Sequence, residues 1–147
     1  MRAQNEMEIS FESRSSNEGF ARSAVAAFIA QLDPTISELN DIRTAVSEAV
    51  TNCVVHAYKN TIGKVCVQVK IMDDALVVIR IKDKGCGIGD VAKAMEPLYT
   101  TSPGDERAGL GFAVMQSFMD HVQVKSSADK GTTVTMKKKL SRRLSNA

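Results

Sequence analysis

Met7, Ile9 and Phe11 alternate with Glu8, Ser10 and Glu12, the two-residue period of a strand with one buried face. Ser15-x-x-Glu18 has capping-box spacing, and Phe20, Ala24, Ala27 and Phe28 recur behind it at helical intervals. Asp33-Pro34 should stop that helix. Thr35-x-x-Glu38 repeats the capping pattern and leads into apolar positions at Leu39, Ile42, Val46, Ala49 and Cys53, which predicts a long helix reaching about Tyr58. The period then drops to two. Val65, Val67, Val69 and Ile71 form one strand, Asp73-Asp74 a turn, and Val77, Ile79 and Ile81 the return strand.

A glycine-dense loop follows from Gly85 to Gly89, then a short helix near Asp90–Met95 ended by Pro97. Residues 98–108 are polar and read as a mobile surface loop. Phe112–Met119 reads as an apolar helix, and strands around Val122–Ser127 and Thr132–Lys138 flank the turn Asp129-Lys130-Gly131. Two hairpins and few helices predict an α+β, two-layer sandwich: a mixed, mostly antiparallel sheet with helices on one face. A dinucleotide-binding unit would need repeated strand–helix–strand alternation and is disfavoured.

The chain has 147 residues, 44% of them hydrophobic and 24% charged, which fits one domain spanning 1–147 and excludes a disordered chain. The longest uncharged apolar stretch, Ala24 to Leu32, is well short of the roughly 20 residues a membrane span needs. No charged segment, apolar run and cleavage site opens the sequence, and three widely spaced cysteines suit reduced thiols, so a cytoplasmic protein is expected. The net charge is +2, yet the last eleven residues carry Lys137, Lys138, Lys139, Arg142 and Arg143 and no acid, reading as a basic, solvated tail. The remainder is net acidic and the chain has no Trp, which argues against direct nucleic-acid binding.

Three groups of residues could carry chemistry. Glu48, Asn52 and His56, at steps of four on the long helix, form a polar stripe beside the apolar seam. A solvated helix face is the plain reading of that stripe, and a proton-accepting carboxylate beside a Mg²⁺-binding amide oxygen is the functional one. In Asp83-x-Gly85-x-Gly87-Ile88-Gly89 the glycines would let backbone approach a flat ligand, and the Asp could accept from an exocyclic amine. Gly109-Leu110-Gly111 stands at a helix start, where backbone N–H groups attract phosphate. His121, near a strand start, reads as structural.

Taken in order, a helix with Glu and Asn, D-x-G-x-G, a lid, G-x-G at a helix and Gly131-Thr132-Thr133 resemble the Bergerat ATP-binding fold shared by gyrase, Hsp90, MutL and histidine kinases (the GHKL superfamily). The stretches NEGFARSAVAAFIAQLDP, VSEAVTNCVVHAY, AMEPLYTTSPGDERAGLGFAVMQSFMD and GTTVTMKK are similar to the bacterial anti-sigma F factor family, serine kinases of endospore-forming bacteria. The resemblance implies ATP or ADP with Mg²⁺ as cofactors. It implies that Asn52 coordinates the metal and that Glu48 is the base for a substrate serine. It assigns Asp83 to the adenine amine, with Gly85, Gly87 and Thr132 near the ring. Gly109, Leu110 and Gly111 would face the phosphates, Arg107 would reach the γ-phosphate, and Arg22 would belong to a partner surface. Sigma F, an anti-anti-sigma substrate and a homodimer in the forespore are the implied partners and setting. An ATP-gated binding module, a stress-response sigma B type kinase and a histidine-kinase catalytic fragment are the alternatives; the last would need a His-bearing dimerisation helix.

Overall fold

The structure, a computed structural model, describes residues 3–88 and 111–141. The expected helix near Asp90–Met95, the polar loop 98–108, and Gly89, Arg107, Gly109, Leu110, Arg142 and Arg143 lie outside the described residues. Within them, β1 (Asn5–Glu12) leads to α1 (Asn17–Ile29) and α2 (Ile36–Asn52). The hairpin of β2 (Lys64–Met72) and β3 (Leu76–Asp83) follows, then α3 (Gly111–Phe118) and the hairpin of β4 (His121–Ser126) and β5 (Thr132–Lys139).

The five strands form one sheet in the order β1-β2-β3-β5-β4, with every neighbouring pair antiparallel. Alternation decides which face is covered. Val65, Val67, Val69, Val77, Ile79, Ile81, Val134 and Met136 are buried, and they join α1 and α2 residues such as Val25, Ile29, Ile42 and Val46 in a single core. Met7, Ile9 and Phe11 are only half-buried, because β1 is an edge strand. His121, at the start of β4, is exposed.

α2 starts where its capping box puts it. Thr35 Oγ1 accepts from Glu38 N at 3.0 Å, and Glu38 Oε1 accepts from Thr35 N at 2.8 Å. The second carboxylate oxygen accepts from Ser141 N at 2.7 Å, tying the chain beyond β5 to the start of α2. Burial acts to raise the Glu38 carboxyl, but the hydrogen bonds from Thr35 and Ser141 outweigh it and hold the group below its ordinary 4.5. A lowered carboxylate stabilises the fold above its unfolded value, and that contribution fades as pH falls through the folded value. Thr35→Ala should therefore cost about 1 kcal/mol near neutrality, roughly 2–4 °C in Tm. The penalty should shrink below pH 4.5, and a melting series in pH checks both points.

Two expectations for α1 need correction. Ser15 and Glu18 form no capping box; the N-cap is Ser16, without a side-chain hydrogen bond, and Glu18 instead accepts from Thr51 Oγ1 at 2.7 Å. The buried stripe is Ala21, Val25, Ala26 and Ile29 in place of Phe20, Ala24, Ala27 and Phe28, and its small residues let α1 lie close to its neighbours. Phe20 is 53% exposed and meets Phe11 edge to face, ring centroids 6.1 Å apart. The basic tail begins later than expected. Lys137, Lys138 and Lys139 are the last residues of β5, with Lys138 paired to Asp41 at 3.5 Å and Lys139 to Asp74 at 2.7 Å.

Candidate functional site

Asp83 is the last residue of β3, and alternation puts it on the helix-covered face with Ile79 and Ile81. In register it lies between Val65 of β2 and Thr132 of β5. A carboxylate so placed must find its partners within the protein, and only 9% of Asp83 is exposed. Its Oδ1 accepts from Gly85 N at 2.9 Å and its Oδ2 from the Cys53 thiol at 3.4 Å. Burial pushes the Asp83 carboxyl above its ordinary value, and the donors from Gly85, Cys53 and Thr132 oppose that shift. Burial, reinforced by the charge of Asp83, drives the Cys53 thiol well above its usual range, so it is a neutral donor.

Cys53 stands where α2 changes pitch. Cys53–Ala57 form a π-helical turn closed by Tyr58 N donating to Cys53 O at 3.2 Å. A wider turn advances each residue by less than the α-helical angle of about 100°, so His56 drops out of line with Glu48 and Asn52. Sequence periodicity carries no sign of that turn. Tyr58, which ends it, donates to Lys64 O at 2.8 Å and accepts from Lys84 N at 2.6 Å, bracing the exit of β3.

The glycines after Asp83 are filled against the protein's own backbone. A Cβ on Gly85 would overlap the carbonyl of Ala57, whose oxygen also accepts from Cys86 N at 2.9 Å. Gly87, at φ +72°, faces the carbonyl of Ser127, and Gly131, at φ +85°, faces that of Asp83; neither place admits a side chain. Ser126 Oγ accepts from Ile88 N at 2.7 Å and lies 2.7 Å from Thr132 Oγ1, while Asp129 N donates to Cys86 O at 2.5 Å. Loop and turn are thus stitched into one unit that sets Asp83 beside Thr132. Close approach of a ligand was the sequence argument for these glycines; close approach of backbone to backbone is what the described contacts require.

Asn52 closes the α-helical part of α2, half-buried, against the first residue of α3. A Cβ added to Gly111 would stand 3.0 Å from Asn52 Oδ1, so any larger residue there would press on the amide. Among the described residues no three His, Cys, Asp or Glu side chains gather as a metal site. One amide oxygen fits a cation that arrives largely coordinated by phosphate and water, as Mg²⁺ does.

Glu48 lies one turn back, about 6 Å along the axis. It lines a cleft of about 440 Å³ between α1 and α2, together with Glu18, Arg22, Arg43 and Ser47. Arg22 is exposed, with its guanidinium 3.4 Å from Ser47 Oγ. The structure thus brings Asp83, Gly85, Gly87 and Thr132 into one cluster, sets Asn52 against Gly111, and lines the α1–α2 cleft with Glu48 and Arg22. α2 is common to all three. Cys53, Tyr58 and Ser126 are the neighbours that sequence reading passed over, since a core Cys, a helix-end Tyr and a strand Ser carry no diagnostic spacing.

Residues 11–138 match the histidine kinase-like ATPase domain family. The chain is 56% identical over 142 residues to a protein named anti-sigma F factor from Caldanaerobacter subterraneus subsp. tengcongensis, covering 97% of this chain and 99% of that one. A protein of the same name from Geobacillus thermodenitrificans is 49% identical over 138 residues, covering 94% of each chain. Among solved structures, the RsbU and RsbW domains of a Mycobacterium tuberculosis protein superpose with a TM-score of 0.70 at 21% identity, over 95% of this chain and 33% of that longer one. The mycobacterial sensor histidine kinase MprB superposes at 0.58 with 15% identity, over 93% of this chain and 100% of its own.

Proposed function

Since the chain belongs to the histidine kinase-like ATPase domain family, and within it to the anti-sigma F factors, we propose that it is an ATP- and Mg²⁺-dependent serine kinase that holds sigma F inactive. In its ATP-bound state a homodimer in the forespore cytoplasm binds sigma F, and it phosphorylates one serine of an anti-anti-sigma factor. The observation that supports this best is the buried Asp83 carboxylate, held beside Thr132 at one end of the sheet while the next residue back from Cys53 on α2, Asn52, meets the N-terminus of α3.

In this reading Asp83 accepts from the adenine amine, with Thr132, Gly85 and Gly87 bordering the ring. Asn52 would hold the metal through its amide oxygen, and the metal would offset charge on the phosphates when bound. Gly109, Leu110 and Gly111 offer backbone N–H groups to the phosphates, and Arg107 reaches the γ-phosphate. The substrate serine oxygen forms a bond to the γ-phosphorus as the bond to the β,γ-bridging oxygen breaks. ADP leaves, and Glu48 takes the serine proton. No intermediate is held covalently by the protein, so catalysis rests on position and charge.

Arg22 and Glu48 share a cleft, which would bring a docked partner close to the base. Arg22→Ala should leave ATP affinity unchanged and weaken binding of sigma F and the anti-anti-sigma factor about tenfold, a loss of about 1.4 kcal/mol. Unchanged affinity for both proteins would remove Arg22 from the partner surface. The reading itself is tested by sigma F capture with and without nucleotide: binding with ATP and Mg²⁺ is expected, and equal capture without nucleotide would reject it.

A further inference from the structure

The two oxygens of the Asp83 carboxylate are held by different parts of the chain. Oδ1 takes the N–H of Gly85, two residues on in the same loop, and Oδ2 takes the thiol of Cys53, thirty residues back on the π-helical turn of α2. Cys53 is 4% exposed, and its one hydrogen is used on Asp83. A buried Cys more often serves as a small apolar filler. Here it points its only donor at the one buried carboxylate proposed to read the base.

We propose that Cys53 is a positioning residue for base selection, its thiol fixing the plane of the Asp83 carboxylate so that a 6-aminopurine nucleotide is preferred over a 6-oxopurine one. The proposal rests on Asp83 being the acceptor for the adenine amine. With Gly85 N on one oxygen and Cys53 Sγ on the other, the carboxylate cannot turn about its Cβ–Cγ bond without losing a donor. Its remaining lone pairs therefore keep one direction, toward the ligand. Each donor also favours the charged form, the form that accepts from an amine and repels the carbonyl oxygen of a 6-oxopurine. Without the thiol Oδ2 loses its side-chain donor and only the backbone donors of Gly85 and Thr132 remain, so the carboxylate is held less firmly in its plane. ADP should then lose affinity while IDP, which gains nothing from that oxygen, keeps its own.

The test is calorimetric titration of the full chain with ADP and with IDP, for wild type, Cys53→Ala and Cys53→Ser. Wild type should prefer ADP. Cys53→Ala should narrow the ADP-to-IDP preference by about 3–10-fold, the worth of one hydrogen bond, through weaker ADP binding alone. Cys53→Ser, which keeps a donor, should restore the ratio to within about twofold of wild type. General loosening of the core would lower both affinities together and leave the ratio intact. A wild type with no preference would reject the assignment of Asp83 itself. A preserved ratio in Cys53→Ala, with wild type selective, would overturn the role of Cys53 and leave Asp83 standing. A ratio lost equally in the Ala and Ser variants would also overturn it, because packing and not the donor would then be responsible.

Discussion

Glu48→Gln is expected to slow transfer to the substrate serine by roughly 10²–10⁴-fold, the usual worth of a positioned general base. Gln keeps the side-chain length and can still hydrogen-bond, but it cannot take a proton at neutral pH. Nucleotide binding should survive within about twofold, because the proposed metal and base contacts fall to Asn52 and Asp83 rather than to Glu48. Sigma F binding should survive too, since in the proposed function it calls for the ATP-bound shape and not for the chemical step. The variant would then leave the anti-anti-sigma factor unphosphorylated, so that it accumulates and favours sigma release. Single-turnover kinetics with purified proteins decide the matter. Near-normal transfer by the Gln protein would show that no carboxylate base is needed, and that Glu48 is simply a wall of the α1–α2 cleft.

Asp83→Asn should weaken ADP and ATP alike by about 1–3 kcal/mol, or about 5–150-fold, as an acceptor facing the amine becomes in part a donor. Burial raises the Asp83 carboxyl, with Gly85, Cys53 and Thr132 opposing it, so the folded state takes up a proton more readily than the unfolded one. The sign follows: Asp83 favours folding most below its ordinary 3.8, and that contribution is lost as pH rises through the higher folded value. Asn removes that charge but turns one oxygen that accepts from Gly85 N or the Cys53 thiol into a donor. The rise in Tm that ADP produces over the empty protein should shrink. A defect confined to ATP would contradict the adenine assignment, since both nucleotides carry the same base.

Much of this was legible before the fold was known, and the failures have common causes. β1 and the β2–β3 hairpin follow directly from two-residue alternation, and Ile42, Val46, Ala49 and Cys53 are buried as their helical spacing requires. The Thr35–Glu38 capping box formed because α2 begins there, whereas the same letters at Ser15 and Glu18 did not, because Glu18 was drawn to Thr51 across the helix pair. In α1 several helical stripes are compatible with so many small apolar residues, and the buried one runs through Ala21, Val25, Ala26 and Ile29 while Phe20 stays 53% exposed. The π-helical turn was invisible, since it is defined by which carbonyl a backbone N–H chooses and not by residue type. The basic run was misread for a related reason: Lys138 and Lys139 are charges, but Asp41 and Asp74 neutralise them from distant elements.

At the site, residue types foretold the chemistry better than the architecture. Asp83 and Thr132 were singled out separately, and the β3–β5 register makes them neighbours. Gly85 and Gly87 were singled out for a ligand, yet their contacts with Ala57 and Ser127 show a structural need that holds with or without one. Cys53 was counted as core and is core, but its thiol also donates to the carboxylate, a directional fact that no hydrophobic pattern encodes.

The decisive measurement is transfer of γ-labelled phosphate from ATP, in the presence of Mg²⁺, to an anti-anti-sigma factor and to a copy of it lacking its phosphorylatable serine. Label on the serine-bearing protein alone, lost with Asp83→Asn at limiting ATP and with Glu48→Gln at any ATP concentration, is the expected result. Nucleotide-dependent sigma F binding with no label on either protein would contradict it, leaving a binding module gated by ATP in place of a kinase.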